Sequence, residues 1–410
     1  MLDIKKIRSE FKMLNGKTMQ GHPLIYLDNG ATTLKPKQVV NAVVNYYENY
    51  GANAHRGDYD LSYFVDQEYE TTRKDVAKFI NAEFEEVIYT SGASAGLNLV
   101  AKSFGDLVLK EGDIIISSLV EHASCILPWM KQAQEKQCEI QYVPLKADGR
   151  FDMDAFKQML NEQVKVVCLA QVSNVLGYQL DVKEIARLAH EVNAYVVIDG
   201  AQSVPHIKID VKDLDVDFLA FSAHKMLGPT GIGVLYGKKA LLNKMEPLYY
   251  GGDSNARFDS CGNIELKDAP YKFESGTQPI EAIFGLHAAI KYLEDIGLDH
   301  IHQYELELRE YAVKEMEKMD HITIYNRYND SGIITFNIKD VFAQDGASYF
   351  NANGIAVRSG QHCAKLLPEV LQVPATIRAS IYFYNTKEEI DRFLEVCRNA
   401  TMENCLNIFF

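Results

Sequence analysis

Lys225 stands in FSAHK, directly after the apolar run DFLAFS (217–222). Lysines are mostly exposed. One held at the end of a buried strand loses hydration, titrates lower and can form a Schiff base with a carbonyl. Asp199 is placed in the same way, at the end of AYVVID (194–199). A carboxylate there is costly to bury unless it meets a partner, and a cationic ring nitrogen would be one. After EVIYT (86–90) comes SGASAG, with Ser94, and then a helix-patterned stretch. Small residues at that point let backbone N–H groups face an anion beside a helix start, although a tight strand–helix turn has the same composition. His122 follows DIIISS (113–118), Asn174 follows VKVVCLAQVS (164–173), and Gln202, Ser222 and His224 flank Asp199 and Lys225. Singly, each has an ordinary structural explanation. Together they describe a ligand with a phosphate, a flat ring, a basic ring nitrogen and an aldehyde, which is pyridoxal phosphate (PLP).

These side chains need a scaffold that brings strand ends together. The segments above, with EIQYVPL (139–145) and GVLYG (233–237), are short and rich in Val, Ile and aromatics, as strands are. Helix-patterned stretches such as SCILPWMKQAQEK and VKEIARLAHEVN separate them. The alternation predicts an α/β fold with a mostly parallel sheet covered on both faces, its ligand at the carboxyl ends of the strands. The glycines of GPTGIG (228–233) do not mark a dinucleotide site, because that fingerprint opens a helix and this one runs into GVLYG. Beyond about residue 290 the pattern changes to long helices and short strands, a smaller α+β domain. The expected division is a large domain over 16–290, with 1–15 and 291–410 forming the small domain.

The composition bounds the function. The chain has 410 residues, 47% of them apolar and 24% charged, with a formal charge of −14. That balance disfavours a nucleic-acid partner. No apolar run is long enough for a membrane span, and the N-terminal residues lack a signal-peptide core. Seven widely spaced cysteines without CxxC pairs read as reduced thiols of a cytoplasmic protein, not a disulfide framework or a zinc site. Most should be packing groups, with one left as a candidate for chemistry.

In YLDNGATT (26–33), NAHRG (53–57), DGAQSVPH (199–206), FSAHKMLGPTGIGVLYG (221–237), FESGT (273–277), RSGQHCA (358–364) and IRASIYFYNT (377–386), the chain resembles cysteine desulfurases of the SufS/CsdA group. These are PLP enzymes of fold type I and the class V aminotransferase type. The RxGxxC pattern ending at Cys363 favours this group over the IscS/NifS group. The resemblance implies that Lys225 carries the cofactor and moves the Cα proton, His122 stacks on the ring, and Asp199 pairs with the ring nitrogen. Gln202 would donate to the phenolic oxygen. Ser94, Ser222 and His224 would hold the phosphate, with Thr277 reaching over from the second subunit of a homodimer. Arg378 would grip the carboxylate of L-cysteine near Asn174, with Arg358 and His55 as neighbours. Cys363 would take the sulfur as a persulfide, with His362 and Arg358 favouring its thiolate. It would pass the sulfur to an acceptor protein of SufE or SufU type, for iron–sulfur cluster assembly.

The chain also departs from the family pattern. GASAG replaces GTTEG, so Ala93 and Ala95 lack a hydroxyl and a carboxylate. Tyr59, Gln361 and Gln344 replace expected residues around the substrate and acceptor side, and Cys125 stands where Asn is usual. Two alternatives follow: a selenocysteine lyase or other PLP β-lyase, and a partner-dependent or non-catalytic homologue.

Overall fold

The computed structural model describes residues 2–55 and 57–408. Seven expected segments form one sheet: β1 (Val87–Thr90), β2 (Ile114–Ser118), β3 (Glu139–Val143), β4 (Val164–Ala170), β5 (Tyr195–Asp199), β6 (Phe218–Ser222) and β7 (Gly233–Gly237). Their order is β1-β7-β6-β5-β4-β2-β3. Strands β2 to β6 pair in parallel, whereas β7 runs antiparallel to both β6 and β1. The cause is connection length. Residues 223–232 are too few for the crossover that a parallel return requires, so the chain turns back on itself.

Both sheet faces are buried, and the strands alternate between two cores. In β5, Val196 and Ile198 join one core and Val197 the other. In β4, Val167 and Leu169 oppose Val166 and Cys168 in the same way. The covering helices include α1 (Asp60–Ile80), α2 (Ala93–Leu99), α3 (Ala123–Lys136), α4 (Val182–Glu191) and α5 (Ile280–Ile296). Helix α3 buries Cys125, Ile126, Trp129 and Ala133, one stripe at helical spacing. Helix α4 does so with Val182, Ile185, Ala186 and Ala189, and the Asp181 side chain caps it by accepting from Glu184 N at 3.1 Å.

A second, antiparallel sheet consists of β8 (Ile322–Ile324), β9 (Ile333–Ile338), β10 (Arg358–Gly360) and β11 (Thr376–Ser380), in the order β8-β9-β11-β10. Helices α6 (Leu298–Met316), α7 (Ala343–Ala352) and α8 (Lys387–Asn399) pack with it, burying Phe336, Phe350 and Phe393. Ile25 and Leu27 belong to this second core, and Ile25–Tyr26 pairs in parallel with Ile355–Ala356. The Ile4–Ser9 helix is anchored by Arg8, which donates to Tyr384 O at 2.6 Å and Glu389 Oε1 at 2.7 Å. The run TIRASIYF does not stay extended. It ends at Ser380 because Asn385 Oδ1 accepts Tyr382 N and folds the chain into a turn.

Candidate active site

The carboxyl ends of β1, β2, β4, β5 and β6 face the second sheet across a cavity of about 170 Å³. The side chains given cofactor, substrate or catalytic roles above all line it except His55 and Thr277.

Lys225 closes a single helical turn after β6. Burial lowers its amine to about 8, with the Asp199 carboxylate pulling the other way. Asp199 ends β5; its Oδ1 accepts Ala201 N at 2.9 Å, and Oδ2 takes no hydrogen bond among the described residues. His122 is the N-cap of α3, and its Nδ1 accepts Ser124 N at 3.1 Å. In the neutral ring the proton is therefore on Nε2. Burial, then the Lys225 charge, holds this imidazole below its ordinary pKa. Gln202 donates from Nε2 to Gly30 O at 2.7 Å.

At the other end, Ser222 Oγ accepts Ala93 N at 2.8 Å from the start of α2, and Ser94 Oγ lies 2.6 Å from Ser124 Oγ. Burial and the Lys225 and Lys35 charges push His224 down to about 4, so it is neutral at pH 7. Arg378 is wholly enclosed in β11: Nη1 donates to Asn174 O at 2.7 Å, Nη2 to Asp28 Oδ1 at 3.3 Å, and Nε has no partner. A buried guanidinium with an unused donor suits a carboxylate.

Cys363 lies in the loop after β10, with its thiol exposed. Gly360, His362 and Cys363 have φ of 119°, 51° and 59°, and the last two are unusual for residues with a side chain. Tethers impose that shape. Ala123 N donates to Cys363 O at 2.7 Å, and Asn174 Nδ2 to His362 O at 2.8 Å. The expectation that His362 favours the thiolate is corrected here. Its ring is buried, faces Thr376 and is pushed down to about 3, so it is not a cation. Cys363 lies within electrostatic reach of Lys225 and Arg378, whose charged forms it favours.

His55 and Thr277 line a different cavity, with Tyr69, Lys267 and Tyr271. Asn53 Nδ2 donates to Thr277 Oγ1 at 3.3 Å, which holds the two segments together. Neither side chain reaches the Lys225 cavity of its own chain.

Residues 25–393 match the Aminotransferase class-V family. The chain belongs to that family. It is 46% identical to a probable cysteine desulfurase of Halalkalibacterium halodurans over 95% of this chain and 96% of that protein. It is 45% identical to one of Staphylococcus aureus strain Mu50, over 97% of each. Its fold superposes on the cysteine desulfurase CsdA of Escherichia coli with a TM-score of 0.91, at 32% identity and covering 100% and 99% of the two chains.

The class-V aminotransferase cofactor is PLP, and the donor set here fits it. A neutral-capable amine, a carboxylate with an unused oxygen and serine hydroxyls at a helix start would suit its aldehyde, ring nitrogen and phosphate, and a buried arginine with an orphaned Nε would suit the carboxylate of an amino-acid substrate. Sequence reasoning passed over three side chains of this class-V aminotransferase site. Asp28 pairs with Arg378 and lies 3.8 Å from Arg358. Ser124 touches Ser94. Glu121 is buried, accepting from Ser118 Oγ at 2.6 Å and Ala170 N at 2.8 Å, and burial raises it to about 8. The criterion that found Lys225, a charged group just beyond the end of a buried strand, would also have found Glu121, three residues past β2.

Proposed function

We propose that this protein is a cytoplasmic, PLP-dependent cysteine desulfurase of the SufS type. It converts L-cysteine and the Cys363 thiol to L-alanine and a Cys363 persulfide: the substrate C–S bond breaks, an S–S bond forms, and a proton ends on the alanine methyl group. The observation that carries the reading is that Cys363 lines the same cavity as Lys225, Asp199 and Arg378.

Bound PLP supplies an aldehyde that takes up an amine and a protonated ring that accepts the electron pair released at the neighbouring carbon. The chain's residues do the rest. Lys225, neutral for much of its time near pH 8, would hold the aldehyde and then exchange a proton at the substrate Cα. With PLP bound, Asp199 would hold a proton on the ring nitrogen through its unused Oδ2, and His122 would stack on the ring. Arg378 and Asn174 orient the substrate carboxylate, which aims the substrate sulfur toward the Cys363 loop. The exposed position of Cys363 gives an acceptor protein of SufE or SufU type access to the persulfide, for delivery to iron–sulfur cluster assembly. A homodimer would bring the partner's copies of the Thr277 and His55 segments to this cavity.

The test is incubation with L-cysteine, with and without reductant, quantifying alanine and weighing the Cys363 peptide. Alanine in step with one added sulfur on Cys363 is expected, and Cys363→Ala should lose sulfur release. Full release by Cys363→Ala, or a strong preference for selenocysteine that survives it, would overturn the assignment.

A further inference from the structure

The phosphate end of the cavity carries one hydroxyl more than the sequence pattern accounts for. In this chain Ala93 has no side-chain donor where the desulfurase pattern has a threonine, and Ala95 has no polar group at all. The structure places Ser124 beside the gap. It lies in the first turn of α3, and like Ser94 and Ser222 it lines the cavity. Its backbone N–H is already committed to His122 Nδ1, which fixes the turn and leaves the side chain as its free donor.

The contact between Ser94 Oγ and Ser124 Oγ, 2.6 Å, has a consequence for charge. Two hydroxyls bonded to each other use one O–H proton as donor and leave the second without an acceptor. Ser222 Oγ accepts Ala93 N, and its proton also has no acceptor among the described residues. The single carboxylate among the cavity's lining residues is Asp199, which ends a different strand from those that lead to these serines. This corner is thus rich in donors and poor in acceptors, which favours an anion.

We infer that Ser124 is a phosphate-binding residue of this enzyme, completing with Ser94 and Ser222 a three-hydroxyl cup in which α3 replaces the donor lost at Ala93. When the phosphate enters, the Ser94–Ser124 bond opens and both hydroxyls turn to phosphate oxygens. The inference rests on the reading of this cavity as a PLP site.

The full-length protein is freed of cofactor and titrated with PLP and, separately, with pyridoxal, which lacks the phosphate. Binding is followed by visible absorbance. Ser124→Ala should weaken PLP binding roughly tenfold, the scale of one hydrogen bond to a charged group, and leave pyridoxal binding unchanged; Ser124→Thr should restore PLP binding. Equal losses for both ligands, or no loss in Ser124→Ala while Ser94→Ala weakens PLP, would overturn the role of Ser124 and leave the proposed function intact. Failure of the unaltered protein to take up PLP would instead overturn the proposed function.

Discussion

At the scale of single residues, the site depends on burial more than on residue type. Lys225 is an ordinary amine until the fold removes its water, after which it titrates near 8. Its neutral, nucleophilic form therefore grows as pH rises through about 8. The rate at which cofactor-free protein captures PLP should climb to that point and then level off. A rate that kept climbing toward the ordinary lysine range would show that Lys225 is not desolvated. Arg378 makes a second case. Its two terminal nitrogens hold Asn174 and Asp28, and Nε is spare. Lysine cannot reproduce that fork. Arg378→Lys should raise the KM for L-cysteine roughly ten- to a hundredfold, the scale of one or two charge-assisted bonds, and keep the bound-cofactor absorbance. An unchanged KM would remove Arg378 from carboxylate binding.

At the scale of elements, two close fits keep the strand ends in place. Glu274 binds Arg73 with both oxygens at 2.8 Å and also accepts Tyr69 Oη at 2.9 Å and Tyr89 N at 2.7 Å, so it joins α1, β1 and the segment leading to Thr277. Arg73 is fully enclosed. Glu274→Ala would strand that charge and should cost about 3–5 kcal/mol in urea unfolding; a loss below 1 kcal/mol would mean that water reaches Arg73. Gly233 starts β7, where an added Cβ would lie 2.5 Å from Gly92 Cα and 2.6 Å from Phe221 O. Gly233→Ala should therefore separate β7 from the loop that opens α2. The expected result is a loss of about 1–3 kcal/mol in stability together with weaker PLP binding, read from the same titration.

At the scale of the whole molecule, the −14 charge and the site have opposite characters. The chain is acidic, yet Arg358, Arg378 and Lys225 gather at the cavity that receives a phosphate and a carboxylate. Among the described residues no helix is long and apolar enough to cross a membrane. His55 and Thr277, which line a cavity other than their own chain's site, are the reason to expect a pair of chains. Light scattering should give about twice the 46.3 kDa chain mass, and Thr277→Ala should loosen the cofactor. A monomer that holds PLP as firmly as the pair would take Thr277 out of the site.

The sequence by itself determined the chemistry, because charged or nucleophilic groups at the ends of apolar strands are rare and costly. Lys225 and Asp199 were legible as candidates from that cost, His122 only in combination with them, and the seven strands of the main sheet from their Val-, Ile- and aromatic-rich runs; family resemblance supplied the role proposed for Cys363. Other features depend on which segments meet in space, and only the tertiary structure decided them. Cys261 is exposed in a turn and is no packing group, whereas Cys125 is buried against Cys168, a contact that with burial raises its thiol pKa. His362 looked like a cation beside Cys363, but Thr376, fourteen residues on, takes its ring into a desolvated niche. Ser124 touches Ser94 across two helix starts thirty residues apart. Local pattern records which side chains must be buried. It carries no record of which distant partner will share the burial, and that partner sets their charge.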